Sequence, residues 1–249
     1  MPDYENTFNA RGDLYNAAAR RCPDARMTER KILVDLLDLE EGVRICDIPA
    51  GGGYLADGLV REPNGRDVIC VEPAPAFAFG MSSSLRRVIA PMALAPFREG
   101  SFDRLGSLAG LHHIDDRIPV FSEFYRLLAP GGKVAVADVG ADTNAARFLN
   151  GPVDRWSETG HRGKFFAEGD LSRMLGAAGF RKTEESLKEY SWSFSSWKEL
   201  VSYCRLLFGM VRATNDDVDR ELQEVFDLQP SDGSARLPWS LVYATGIKR

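Results

Sequence analysis

The chain has 249 residues, 44% of them hydrophobic and 27% charged, with a formal net charge of −5. That length can bury a sizeable core, and the composition is that of an ordinary globular protein. The negative balance speaks against a nucleic-acid partner, which needs clustered cations, and no apolar run approaches the roughly 20 residues of a membrane span.

The first six residues, Met1 to Asn6, lack a basic region followed by an apolar core, so no secretory signal is expected. Cys22, Cys46, Cys70 and Cys204 lie far apart and read as core thiols of a reducing, cytoplasmic compartment. Residues 1–42 look helical. Thr28 is a plausible cap, Ile32, Leu33, Leu36 and Leu37 share one face, and Glu41-Gly42 closes the helix.

The first strand is expected at 43–48. It ends in Asp47 and runs into Ile48-Pro49-Ala50-Gly51-Gly52-Gly53. A glycine turn before a helix start lets the backbone approach a ligand closely and offers free N–H groups. The second strand ends in Glu72, 19 residues after Gly53, where an acid can accept hydrogen bonds from a ribose diol. A short helix follows Pro73, and strands are expected at 85–90 and 102–109. Next come Gly110-Leu111-His112-His113-Ile114-Asp115-Asp116, an amphipathic helix at 119–128, a turn at Ala129-Pro130-Gly131-Gly132 and a fifth strand at 133–139.

Strands alternating with helices predict an α/β protein with a mostly parallel sheet covered on both faces. Beyond 140 the pattern loosens. An insertion is expected at 142–163, a helix at 168–178, a strand within 180–194, helical segments across 195–227 and a last strand at 238–246. One domain is expected. It comprises an N-terminal helical cap at 1–42, a cofactor-binding core at 43–140, and a completion of the sheet at 141–249 that carries both substrate-side insertions.

In this order the pieces resemble class I S-adenosylmethionine-dependent methyltransferases, in the group typified by ubiquinone- and menaquinone-type small-molecule methylation. The resemblance covers about residues 43–182. It rests on Asp47 to Gly53, Glu72, Ala95-Pro96-Phe97 with Gly100-Ser101-Phe102-Asp103, Leu111 to Ile114, Leu127 to Gly132, and Leu175 with Ala178-Gly179-Phe180. It implies a Rossmann-like seven-stranded sheet and methyl transfer to an O, N or C atom of a small molecule. The cofactor would be S-adenosylmethionine, with S-adenosylhomocysteine as product. The cofactor contacts implied are Tyr15, Asp47, Ala50, Gly51, Gly52, Gly53, Glu72, Pro73, Met92, Leu108 and Ala109. Two departures stand out. Pro49 replaces the usual first glycine, and no acid lies near Pro91-Met92, where the family often meets the adenine amino group. A homodimer is left open.

Other readings stay in view. Gly51, Gly53 and Ala56 also fit a dinucleotide fingerprint, which keeps an NAD-dependent oxidoreductase as a rival, with an inactive cofactor-binding scaffold as a third class. His112, His113 and His161 are the candidate catalytic residues, as bases or as loop-packing side chains. The spacing of His112, His113, Asp115 and Asp116 matches no zinc motif, so no metal is expected. Phe148, Trp156, Phe165 and Trp197 suggest an apolar or aromatic acceptor, with core packing as the alternative. Trp197 and Phe208 read either as a lid or as core.

Overall fold

The computed structural model describes residues 4–65, 67–230 and 232–249. Met1, Pro2 and Asp3 of the leader reading lie outside the described residues.

Two helices, α1 (Tyr4–Arg21) and α2 (Met27–Leu37), precede β1 (Arg44–Asp47). The helix predicted from Thr28 starts one residue earlier, after Arg26. It stops at Leu37 because Asp38 takes a left-handed turn, φ 53°, well before Gly42. Then follow α3 (Tyr54–Leu59), β2 (Asp67–Glu72), α4 (Pro75–Phe79), β3 (Arg86–Ile89), β4 (Phe102–Leu108), α5 (Ile118–Leu127) and β5 (Leu128–Asp138). The sheet is completed by β6 (Arg181–Phe194) and β7 (Ala235–Ile247), with α8 (Asp170–Ala177) before β6. Between β5 and α8 lie α6 (Asn144–Phe148), a π-turn at Leu149–Val153 and α7 (Asp154–Trp156). Between β6 and β7 lie α9 (Trp197–Leu207) and α10 (Asn215–Phe226).

The seven strands run in the order β3-β2-β1-β4-β5-β7-β6. β1 to β5 are parallel to one another, and β7 is antiparallel to both β5 and β6. Strand order reverses between β1 and β4, and in open α/β sheets ligands bind in the crevice that this reversal leaves at the carboxyl edge.

Successive residues of the central strands enter opposite cores, the period-two pattern of a sheet buried on both faces. Ile45, Ala135 and Ala137 pack under α2, α6, α9 and α10, whereas Cys46, Val134 and Val136 pack under α4, α5 and α8. The turn expected at Ala129–Gly132 is instead an irregularity inside β5: Phe102 pairs with Leu128, and Arg104 pairs with Lys133.

The helical additions have their own local reasons. Ser196 caps α9 by accepting from the Glu199 amide, and Thr214 with Asp217 forms a reciprocal capping box on α10. α1 packs on α4 and α9, across the carboxyl edge of the sheet. Glu29 of α2 is fully buried and pairs with Arg26. It also accepts from the Tyr190 hydroxyl at 3.2 Å and the Trp192 indole N–H at 3.0 Å, which ties α2 to β6. No helix among the described residues is long and apolar enough to cross a membrane.

Candidate functional site

Two cavities adjoin at the carboxyl edge. The first lies against the glycine loop and is walled by Asp47, Ala50, Gly51, Gly52, Leu108 and Ala109, with Tyr4, Phe8 and Tyr15 of α1 across from them. The second is lined by His112, His113 and His161 and walled by Phe8, Trp192, Phe208 and Trp239. Phe8, Tyr15, Arg26 and Ala109 belong to both.

The loop's glycines are needed where the chain is crowded or reversed. Gly53 starts α3 at φ 85°, in the left-handed region that suits glycine. A Cβ on Gly52 would fall 1.8 Å from Asn16 Oδ1 of α1. The loop is anchored by the Ala50 amide, which donates to the Val71 carbonyl at 2.9 Å.

Asp47 is buried. Its Oδ2 accepts from the Ala56 amide at 3.1 Å, while its Oδ1 has no hydrogen-bond partner. Burial pushes its pKa well above the carboxylate range, against the Ala56 amide that favours the charged form. An acceptor left orphaned on a cavity wall is matched by a cationic donor such as an amino acid's ammonium group.

Glu72, expected to meet a ribose diol, is buried at the tip of β2 and holds three donors of the chain itself. Its Oε1 accepts from the Ala74 amide at 2.9 Å, and its Oε2 accepts from the Gly51 amide at 2.7 Å and the Tyr4 hydroxyl at 3.0 Å. Glu72 is fully buried and does not line the cavity, whereas its partner Tyr4 of α1 does. Burial raises its pKa to about 7, against the three donors that favour the charged form. Three further predicted contacts lie off the cavity wall. Gly53 faces Leu85 and Met81, Met92 is buried in the core under α4 and α5, and Pro73 is not among the lining residues. Tyr15, Asp47, Ala50, Gly51, Gly52, Leu108 and Ala109 do line it.

The three histidines arrive from two segments and meet as a cluster. Their ring centroids are 4.2 Å apart for His112 and His113, 4.9 Å for His113 and His161, and 5.4 Å for His112 and His161. Asp138, fully buried at the end of β5, organises the first two. Its Oδ2 accepts the amides of Gly110, Leu111 and His112, and its Oδ1 accepts the Val139 amide and lies 2.6 Å from His112 Nδ1. Burial opposes its charge, but His112 and the Val139 amide outweigh that and hold it below the usual range. A carboxylate can only accept, so His112 Nδ1 carries the proton and Nε2 is left with its lone pair when the ring is neutral.

Asn150 does the same for His161. Its Oδ1 accepts from the Gly163 amide at 2.7 Å while its Nδ2 donates to the Gly163 carbonyl at 2.9 Å, so the oxygen 3.1 Å from His161 Nδ1 is an acceptor. Burial, then the neighbouring His112, pushes His113 and His161 well below the usual histidine range. Both are neutral at physiological pH. Arg11 of α1 also lines this cavity; its Nε is buried without a partner, and burial lowers it to about 10.

A family model described as a methyltransferase domain matches residues 18–185. The chain belongs to the methyltransferase domain family. It is 26% identical over 241 residues to a malonyl-[acyl-carrier protein] O-methyltransferase of Halorhodospira halophila, a match covering 90% of this chain and 79% of that protein. It is 32% identical over 114 residues to phosphoethanolamine N-methyltransferase 3 of Arabidopsis thaliana, covering 43% of this chain and only 23% of that protein. The fold is that of a solved Haemonchus contortus phosphoethanolamine N-methyltransferase 2, at TM-score 0.68 and 16% identity, covering 100% of this chain and 60% of that one.

Within this methyltransferase fold, the aromatics named from sequence serve elsewhere. Phe148 is buried against Phe208 and Phe226, and the indoles of Trp156 and Trp197 donate to Glu221 and Asp219 within the helical additions. Phe165 alone meets the histidine rings, at 5.6 Å from His112. Asp115 and Asp116 are exposed, and Asp115 pairs with Lys164, so neither joins the histidines. Sequence reasoning missed Tyr4, Phe8, Arg11, Asp138, Asn150, Trp192 and Trp239. Of these only Asp138 carried a legible signal, an acid at the tip of a buried strand.

Proposed function

We propose that the protein is an S-adenosylmethionine-dependent methyltransferase acting on an O, N or C atom of a small, aromatic-walled acceptor. The observation that carries this is the pair of adjoining cavities, one bearing the glycine loop and the orphaned Asp47 oxygen, the other the histidines. The solved Haemonchus relative was crystallised with S-adenosylhomocysteine, which supports the same cofactor here. When bound, that cofactor supplies a methyl group already activated on a sulfonium.

The chain's own part is positioning. Asp47 takes the ammonium group of the methionine portion, and Gly51 and Gly52 give close backbone approach. Glu72 takes the ribose hydroxyls once Tyr4 has moved. Leu108 and Ala109 line the junction, and Phe8 and Tyr15 close over it. Aligning nucleophile and methyl in a dry pocket accounts for the larger share of the acceleration. His113 and His161, kept neutral by burial, present lone pairs to the acceptor on the other side of that junction. A cytoplasmic location belongs to this proposal, supported by four unpaired cysteines.

Calorimetry with S-adenosylhomocysteine and NAD tests the reading. Binding of the sulfur nucleoside with none of NAD is expected, and methyl release to a screened acceptor should follow. Tight NAD binding alone would return the protein to the oxidoreductase class. Cofactor binding without transfer to any acceptor would leave it a scaffold.

A further inference from the structure

We infer that His112, His113 and His161 form a binding site for one divalent transition-metal ion, open to the acceptor cavity. This inference rests on the methyltransferase reading only for what the ion would hold.

One ring nitrogen from each of the three histidines lies within 4.8 Å of the others. Ligands at roughly 2.1 Å in tetrahedral array stand about 3.4 Å apart, so closure asks each ring to shift by about 1 Å or less. Two of the rings are already fixed in the required tautomer. Asp138 holds the Nδ1 proton of His112 and Asn150 holds that of His161, which turns both Nε2 lone pairs free. A carboxylate or amide behind the outer nitrogen is the arrangement that orients metal-ligating histidines. The His113 ring makes no side-chain hydrogen bond among the described residues and is held edge-on by Phe8 at 5.1 Å.

The donor set selects the ion. Three imidazoles suit zinc, iron, cobalt, nickel or copper, and exclude magnesium and calcium, which ask for oxygen. Three protein ligands with a position left open is the pattern of a site that receives a small ligand. Local charge selects that ligand. Arg11 and Arg26 face the cavity as cations, with Glu29 on its wall and Asp138 behind His112 as anions, so these groups cancel before a metal enters. A divalent ion then leaves an excess positive charge beside the unpartnered Arg11 Nε. An acceptor carrying an anionic oxygen, such as an acid, an enol or a phenol, satisfies both.

The test uses the full chain, free of any affinity tag and stripped with a chelator, titrated with Co²⁺ alone. Calorimetry should give one ion per chain, with the visible absorption of four- or five-coordinate cobalt. The His113→Ala and His161→Ala variants should each lose at least tenfold in affinity. Asn150→Ala, which leaves all three ligands in place, should lose about 10–100-fold, the usual effect of removing a histidine's outer partner. Absence of stoichiometric binding at 100 µM Co²⁺ (about the weakest useful affinity), or unchanged binding in the His113→Ala/His161→Ala double variant, overturns the site. S-adenosylhomocysteine binding by the stripped protein is measured in parallel. If it persists while cobalt fails to bind, the metal site falls and the methyltransferase reading stands; if it is absent while cobalt binds, the reverse holds.

Discussion

The cavity against the glycine loop and the cavity beside the histidines share Phe8, Tyr15, Arg26 and Ala109, yet they are built by different means. Half of the first comes from one short run out of β1, with Asp47, Ala50, Gly51 and Gly52 in it, and α1 faces that run. The second is assembled from side chains of α1, the loop after β4, the insertion after β5, and the β6–β7 pair. A binding surface made from one short run can be written in a short motif. One made of side chains from distant segments exists only once the fold has brought them together.

The largest expected effect lies in the second cavity. His112→Ala should lose turnover by roughly 10²–10⁴-fold with an identified acceptor while S-adenosylhomocysteine binding stays at the parent level. A methyl-transfer assay beside calorimetry separates the two, and full turnover in the variant would place the chemistry outside that cavity.

Next comes the pH dependence of the first cavity. Glu72 is raised from its ordinary 4.5 to about 7, chiefly by burial. A raised acid contributes stability that is fully present below the unfolded pKa and is lost as pH climbs through the folded one. Between about pH 4.5 and 7 the loss from this group is on the order of 3 kcal/mol, at about 1.4 kcal/mol for each tenfold change in proton affinity. Denaturant unfolding of parent and Glu72→Gln across that range should show the parent losing stability relative to the variant. Parallel curves would mean that Glu72 is charged throughout.

Asp47→Asn should weaken S-adenosylhomocysteine binding by about 10–100-fold, since a charge-assisted hydrogen bond contributes roughly 1.5–3 kcal/mol. Equal affinity, measured by calorimetry, would remove Asp47 from the ammonium site. The smallest change is Tyr4→Phe, which frees a Glu72 oxygen and should tighten binding by up to about tenfold. Weaker binding in that variant would make Tyr4 a contact of the cofactor and not its competitor.

The same contrast explains what was legible in the sequence. The strands through β5 and the glycine loop were readable because period-two burial and turn residues are local signals. Glu72 was found but its surroundings were not, because its partner Tyr4 lies 68 residues away. His161 was singled out with the other two histidines, but nothing in its sequence neighbourhood announces Asn150 as its anchor or Asp138 as the anchor of His112. The aromatics were left between an acceptor-facing role and core packing for a related reason. Composition names which rings exist, whereas only packing decides that Trp192 and Trp239 stack at 4.3 Å beside the cavity while Trp156 and Trp197 bind helices together.

The excursion between β6 and β7 has a consequence for how such a protein diversifies. Phe194 and Ala235 are partners on the antiparallel ladder, so residues 195–234 leave and return at a single rung. A segment with both ends pinned side by side can be lengthened, shortened or exchanged at little entropic cost to the rest of the chain. Among its described residues, this one delivers Leu207 and Phe208 to the histidine side and none to the glycine-loop wall. Grafting a different excursion onto that rung would rewrite which molecules are accepted and leave the β1 loop untouched.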